Sequence, residues 1–216
     1  REQIIALINR EVVPAIGCTE PIAVALCVAK ATETLGQKPE KIQALLSANI
    51  LKNAMGVGIP GTGMIGLPIA IALGALIGKS EYQLEVLKDS TPEAVEAGKK
   101  LIDSQAINIG LKYGIEEKLY IEIICEAEGK KATAIISGGH TNFVYVARGE
   151  EVLVNKQASS SNEAASDDVE LTLRKVYDFA MEAPIEELKF ILETRNLNKQ
   201  AAERSFKGNC GHQLGK

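Results

Sequence analysis

From Asn53 to Gly78 the chain carries no charged residue, and this stretch constrains the fold more than any other. Its first part holds Gly56, Gly58, Pro60, Gly61, Gly63 and Gly66, and so many backbone breaks read as a loop. Its continuous apolar part runs from Met64 to Ile77, about 14 residues against the roughly 20 needed to span a bilayer. A run of that length is expected to form a buried core helix. The chain is therefore expected to be built around it and not to span a membrane.

The remainder of the sequence is consistent with such a core. Its 216 residues are 46% hydrophobic and 24% charged, enough to bury one compact domain over residues 1–216, or one domain plus a small subdomain. A net charge of −4, with no basic stripe, argues against non-specific binding to nucleic acid. The four cysteines, Cys18, Cys27, Cys125 and Cys210, form neither a C-x-x-C pair nor a dense disulfide framework, which points to a reducing, cytoplasmic compartment. Arg1-Glu2-Gln3 and the run after it lack the basic-then-apolar layout of a signal peptide.

Helical spacing of Ile4, Ile5, Leu7, Ile8 and Val12 predicts a first helix, ended by Pro14 and Gly17. A second is predicted from about Pro21 to Leu35, with Thr19 or Glu20 as cap and with Gly36 and Pro39 closing it. Residues 41–49 alternate weakly as a strand that would end near Lys52-Asn53. Thr91-Pro92 opens a surface helix to about Ser104. Beyond it the period changes to alternation, and strands are expected near 106–112, 118–128, 131–137 and 143–148. The fold class is therefore α+β, with helices packed on a small, mainly antiparallel sheet. Residues 156–168, including Ser159-Ser160-Ser161, read as a polar loop or linker. Asp167 and Glu170 can cap a helix to about Ala183, Pro184 opens another, and Lys199 to Lys207 forms a last short one.

Four places carry candidate chemistry. Cys18 lies just before the second helix, where unpaired N–H groups and the helix dipole favour a thiolate; the alternative is a small apolar residue in a tight turn. Pro60-Gly61-Thr62-Gly63 precedes a helix and can present backbone N–H groups to an anion, or can serve only close helix packing. Gly138-Gly139-His140-Thr141-Asn142 joins two predicted strands; it can bind a carboxylate while His140 moves a proton, or be a hairpin turn with a solvated histidine. Lys52-Asn53 can hold an anionic group or be a solvated strand end. Cys27 and Cys125 share faces with apolar residues and read as core. Asn209-Cys210-Gly211-His212 offers two ligands, too few for a tetrahedral metal site.

Taken in order, Gly17-Cys18-Thr19-Glu20-Pro21, Leu51-Lys52-Asn53, Pro60-Gly61-Thr62-Gly63, Leu84-Glu85-Val86-Leu87-Lys88-Asp89 and Gly138-Gly139-His140-Thr141-Asn142 resemble the L-cysteine desulfidase family, which is related to the alpha chain of iron–sulfur L-serine dehydratases. The likeness runs over nearly the whole chain. It implies β-elimination on a small amino acid, L-cysteine giving sulfide, pyruvate and ammonia, or L-serine, with an oxygen-sensitive [4Fe–4S] cluster as Lewis acid. It also implies three cluster cysteines in a C-terminal half, so that this chain corresponds to the N-terminal half of a larger lyase, holds no metal ligands itself and is inactive alone.

By the same resemblance, Cys18 acts as general base at the substrate α-carbon or as a further contact to the cluster, and His140 belongs with it in catalysis. Glu20, Lys52, Asn53, Gly61, Thr62, Gly63, Gly138, Gly139, Thr141 and Asn142 are implied as binders of the substrate carboxylate and amino group. The implied partners are a small amino acid and the C-terminal half of the same protein, and an uncovered apolar face would favour self-association. The competing expectation is a non-catalytic domain that binds a small anionic metabolite through the same loops.

Overall fold

The computed structural model describes residues 1–156 and 170–208. The chain divides into two compact units, one of Ala15–Ser161 and one of Arg1–Pro14 with Asn162–Lys216. Helix α1 (Glu2–Glu11) belongs to the second of these.

The larger unit is an α+β layer structure, as the periodicity predicts. In chain order it holds α2 (Thr19–Leu35), β1 (Lys41–Leu46), α3 (Ala48–Ala54), a hairpin of β2 (Gly58–Ile59) and β3 (Met64–Ile65), α4 (Leu67–Leu76), and α5 (Pro92–Asp103). Strands β4 (Ile107–Leu111), β5 (Tyr120–Ala127), β6 (Lys130–Ser137), β7 (Phe143–Arg148) and β8 (Glu151–Asn155) follow. Six strands make one mixed sheet in the order β4-β1-β5-β6-β7-β8. Only β1 and β4 run parallel, in the register Ala44 to Ile109, because the helices between them form the long crossover that a parallel pair requires. On its other edge β1 meets β5 antiparallel, with Ala44 opposite Ile123.

Helix α2 packs against β5 and β6 on one side and against α4 on the other. Covered on both sides, it is buried all round, and Ile22 through Ala29 are 0% exposed. The uncharged stretch ends in α4, which is buried over Ile69, Ala70, Ile71, Ala72 and Leu73 and packs in turn on α5. Among the described residues no helix is long and apolar enough to cross a membrane. The two core helices approach backbone to backbone at Gly74, where an added Cβ would lie 2.6 Å from the Ala25 carbonyl oxygen. Each fully buried Leu or Ile, such as Leu26 or Ile71, contributes on the order of 1.5–3 kcal/mol by leaving water, and truncating one to Ala would cost about 2–5 kcal/mol.

Several boundaries differ from expectation for local physical reasons. β1 stops at Leu46, not Asn49, because Ser47 begins α3: its Oγ accepts from the Ile50 N–H at 3.5 Å and donates to the Lys118 carbonyl at 2.8 Å. Lys52 and Asn53 consequently lie on a helix and not at a strand end. Neither Thr19 nor Glu20 caps α2; both lie in its first turn and Cys18 is the N-cap residue. The β2–β3 hairpin and the edge strand β8 were not anticipated.

In the smaller unit, α6 (Leu173–Glu182) is capped by Thr172, whose Oγ1 accepts from the Lys175 N–H at 3.2 Å. The expected cap Asp167 lies outside the described residues, as do Ser159–Ser161 and the Asn209–His212 cluster. A 3-10 segment over Ile185–Ile191 replaces the helix expected after Pro184, and α7 (Leu192–Lys207) begins earlier than Lys199. Arg1 pairs with Glu187 at 2.9 Å.

Candidate functional site

The N-terminus of α2 is organised around one carboxylate. Cys18 has extended backbone angles, φ −59° and ψ 131°, and its Sγ turns into the first helical turn to donate to Glu20 Oε2 at 3.1 Å. The Thr19 hydroxyl donates to the same oxygen at 3.3 Å. On the other oxygen, Glu20 Oε1 accepts from the Asn53 Nδ2 amide at 3.2 Å. Asn53 reaches it because the early stop of β1 places this residue on α3. His140, in the loop between β6 and β7, makes only a minor electrostatic contribution at Glu20.

These contacts determine the electrostatics. The Cys18 thiol donation, then a backbone N–H and the Asn53 amide, hold the Glu20 carboxyl below its ordinary value of 4.5 against the opposing effect of partial burial. Cys18 moves the other way. Partial burial and the hydrogen bond to Glu20 push its thiol above the ordinary 9.0. This corrects the expectation of a helix-activated thiolate, since the positive end of α2 already faces Glu20, whose negative charge favours a protonated sulfur. Cys18 is exposed, whereas Cys27 and Cys125 are buried. Cys27 Sγ donates to the Ala134 carbonyl at 3.3 Å, and burial raises its thiol well above 9.0. Burial likewise takes the Cys125 thiol to about 11, so both are core residues, as their periodicity indicates.

Two loops flank the cluster. Gly17 lies against Pro60, where an added Cβ would be 3.0 Å from the proline Cγ and 3.3 Å from its Cδ. This close approach joins the Cys18 segment to the β2–β3 hairpin. Within that hairpin the Thr62 hydroxyl donates to the Ile59 carbonyl at 2.7 Å and accepts from the Met64 N–H at 3.0 Å, so it serves the turn. Gly61 and Gly63 are exposed at the tip. In the β6–β7 loop, Gly138 takes φ +74°, and its N–H is bonded to the Leu119 carbonyl at 3.1 Å. Asn142 Nδ2 donates to the Ser137 carbonyl at 2.9 Å and the Gly139 carbonyl accepts from the Asn142 N–H at 3.2 Å. Asn142 therefore fixes the loop that carries His140. Thr141 is exposed there and His140 half-buried.

Of the residues singled out in the sequence, the fold joins Cys18, Glu20 and Asn53 by hydrogen bonds. It sets Gly61–Gly63 beside them through Gly17 and Pro60. Lys52 is exposed on α3 and, among the described residues, no bond ties it to the cluster. What sequence reasoning missed is the central position of Glu20. The signal was the i to i+2 spacing of a thiol and a carboxylate at a helix start, while the Asn53 contact depends on a long-range approach that spacing cannot reveal.

The chain is 79% identical over 216 residues to a UPF0597 protein of Phocaeicola vulgatus, a match covering 100% of the chain and 50% of that protein. It is 49% identical over 222 residues to a UPF0597 protein of Porphyromonas gingivalis, covering 100% of the chain and 51% of the relative. A UPF0597 protein of Aeromonas hydrophila is 40% identical over 215 residues, 98% of the chain and 48% of the relative. The chain thus spans about half the length of the curated relatives it matches. No family model matches it, and no solved structure matches it.

Proposed function

We propose that this chain is half of a UPF0597 protein and supplies one wall of the active site of a cytoplasmic lyase that eliminates the β-substituent of L-cysteine, or of L-serine. The observation that carries this reading is that Cys18 and Asn53, from two distant parts of the chain, both donate to the Glu20 carboxylate. The five motifs that resemble the L-cysteine desulfidase family include all three residues.

Among the described residues no three His, Cys, Asp or Glu side chains stand together as metal ligands, and Cys27 and Cys125 are enclosed in the core. The resemblance implies cluster ligands in the half that this chain does not span, and no step below runs through the cluster.

The chemistry open to the chain's own groups is proton transfer and orientation. An amino acid presents an ammonium group, and Glu20, kept anionic at neutral pH, is its complement. Asn53 holds that carboxylate in place. Cys18 rests as a thiol and becomes a base for the Cα proton only after its own proton has left to solvent. Loss of the Cα proton to the thiolate, with cleavage of the Cβ–S bond, releases hydrogen sulfide ion and leaves aminoacrylate, whose hydrolysis gives pyruvate and ammonia. His140 is the group assigned here to give a proton to the departing sulfur. A purely anion-binding role is less well supported, because the centre of the cluster is itself an anion and the Gly138 N–H is already bonded.

The reading is tested with this chain joined to the half of the Phocaeicola vulgatus protein that it does not span. Purified anaerobically, the joined protein is expected to release sulfide and pyruvate in equal amounts from L-cysteine, and Cys18→Ala is expected to abolish release while leaving the circular dichroism spectrum unchanged. Equal release from the Cys18→Ala protein would remove Cys18 from catalysis.

A further inference from the structure

Helix α6 turns a second apolar face outward. Leu173, Val176, Tyr177 and Met181 recur at i, i+3, i+4 and i+8 and so share one face. That face is open to solvent, with exposures of 87%, 47%, 58% and 68% respectively. The opposite side, with Lys175, Asp178, Phe179 and Glu182, lines a hollow shared with α1. Ile185, 71% exposed, continues the apolar surface past the helix end. Neither α1, α6, the 3-10 segment nor α7 contains a buried residue. A ten-residue helix is marginal in water without tertiary packing, and a contiguous exposed apolar face marks a surface that something covers.

The lengths of the relatives supply an occupant for it. Each matches this chain along essentially all of it and continues for about as many residues again. A segment carried on the same polypeptide acts at an effective concentration in the millimolar range, far above that of a second copy free in the cell. We propose that the apolar face of α6, continued by Ile185, is the seat of the half of the relatives' length that this chain does not span. The inference rests on packing and length alone and stands apart from the chemistry proposed above.

The test is thiol accessibility on that face. Met181→Cys, and separately Leu173→Cys, are made in this chain alone and in the chain joined to the other half of the Phocaeicola vulgatus protein. Labelling is followed peptide by peptide by mass spectrometry. Both positions are solvent-facing, so neither change disturbs packing within the chain. Labelling at both positions is expected to be at least about tenfold slower in the joined protein, while Tyr113→Cys, at a position 81% exposed in the larger unit, reacts alike in both. Equal labelling of the α6 positions in the two proteins overturns the proposal. So does protection in the chain alone that disappears on dilution, which would make a second copy the occupant.

Discussion

The Cys18 thiol donates to Glu20 Oε2 at 3.1 Å, and this contact shifts both groups in opposite directions. With partial burial it raises the Cys18 thiol, and it lowers the Glu20 carboxyl. The site at rest is thus an anion screened by three donors, Cys18, Thr19 and Asn53. A cation that binds Glu20 would compete with the thiol for the carboxylate, which couples occupancy of the site to the freedom of Cys18.

Removing the Glu20 charge is expected to lower the Cys18 thiol pKa. In Glu20→Gln, on a Cys210→Ser background, iodoacetamide at pH 8 should modify Cys18 faster, by up to about tenfold for a shift of one pH unit. Buried Cys27 and Cys125 remain silent and serve as internal controls. An unchanged rate across the pH range would show that Glu20 does not govern the thiol.

The two shifts have opposite consequences for stability. The Glu20 value is lowered on folding, so its contribution is present above the ordinary 4.5 and is lost as the pH falls through the lower folded value. The Cys18 value is raised, so its contribution is complete below the ordinary 9.0 and is lost as the pH rises through the higher folded value. Thermal melts from pH 6 down to pH 3 should show a steeper loss for the parent than for Glu20→Gln. Parallel curves would contradict the assignment.

Gly17→Ala places a methyl group 3.0 Å from Pro60 Cγ and forces the Cys18 segment away from the β2–β3 hairpin. A loss of about 1–3 kcal/mol is expected, the usual cost of overpacking. Pro60→Ala in the same protein should restore most of it, as read from denaturant midpoints. A double variant no more stable than Gly17→Ala would mean that the contact is not the source of the loss.

At the α2–α4 crossing, Gly74→Ala drives a Cβ to 2.6 Å from the Ala25 carbonyl oxygen, a backbone atom that cannot turn aside. The expected cost is about 3 kcal/mol or more. Gly56→Ala is the contrast, because an added Cβ there meets nothing within 4 Å. Its urea midpoint should move by little, and similar shifts for the two variants would refute the close approach.

The parts of this fold legible in the sequence are those written in local periodicity. The α2 run, the buried helix in the uncharged stretch and the four alternating segments β4 to β7 each follow from hydrophobic spacing and turn residues. What escaped was decided by partners distant in sequence. Ser47 ends β1 because the Lys118 carbonyl accepts its hydroxyl. Edge strand β8 has little alternation of its own and is held by β7. The candidate site divides the same way: the Gly17–Pro21 and Gly138–Asn142 motifs are local, but the direction in which the Cys18 thiol is shifted is not. A helix dipole can be read from spacing, whereas the side chain that already satisfies it cannot.

The central claim, that Cys18 and Glu20 form part of a β-eliminating site, is tested most directly by anaerobic assay of the joined protein with L-cysteine and L-serine. Pyruvate should form with one of them, with sulfide in equal amount if that substrate is L-cysteine, and should disappear in Cys18→Ala and fall at least about a hundredfold in Glu20→Gln. Folded, soluble joined protein that yields no pyruvate from either amino acid, or that keeps full activity without Cys18, would contradict the account.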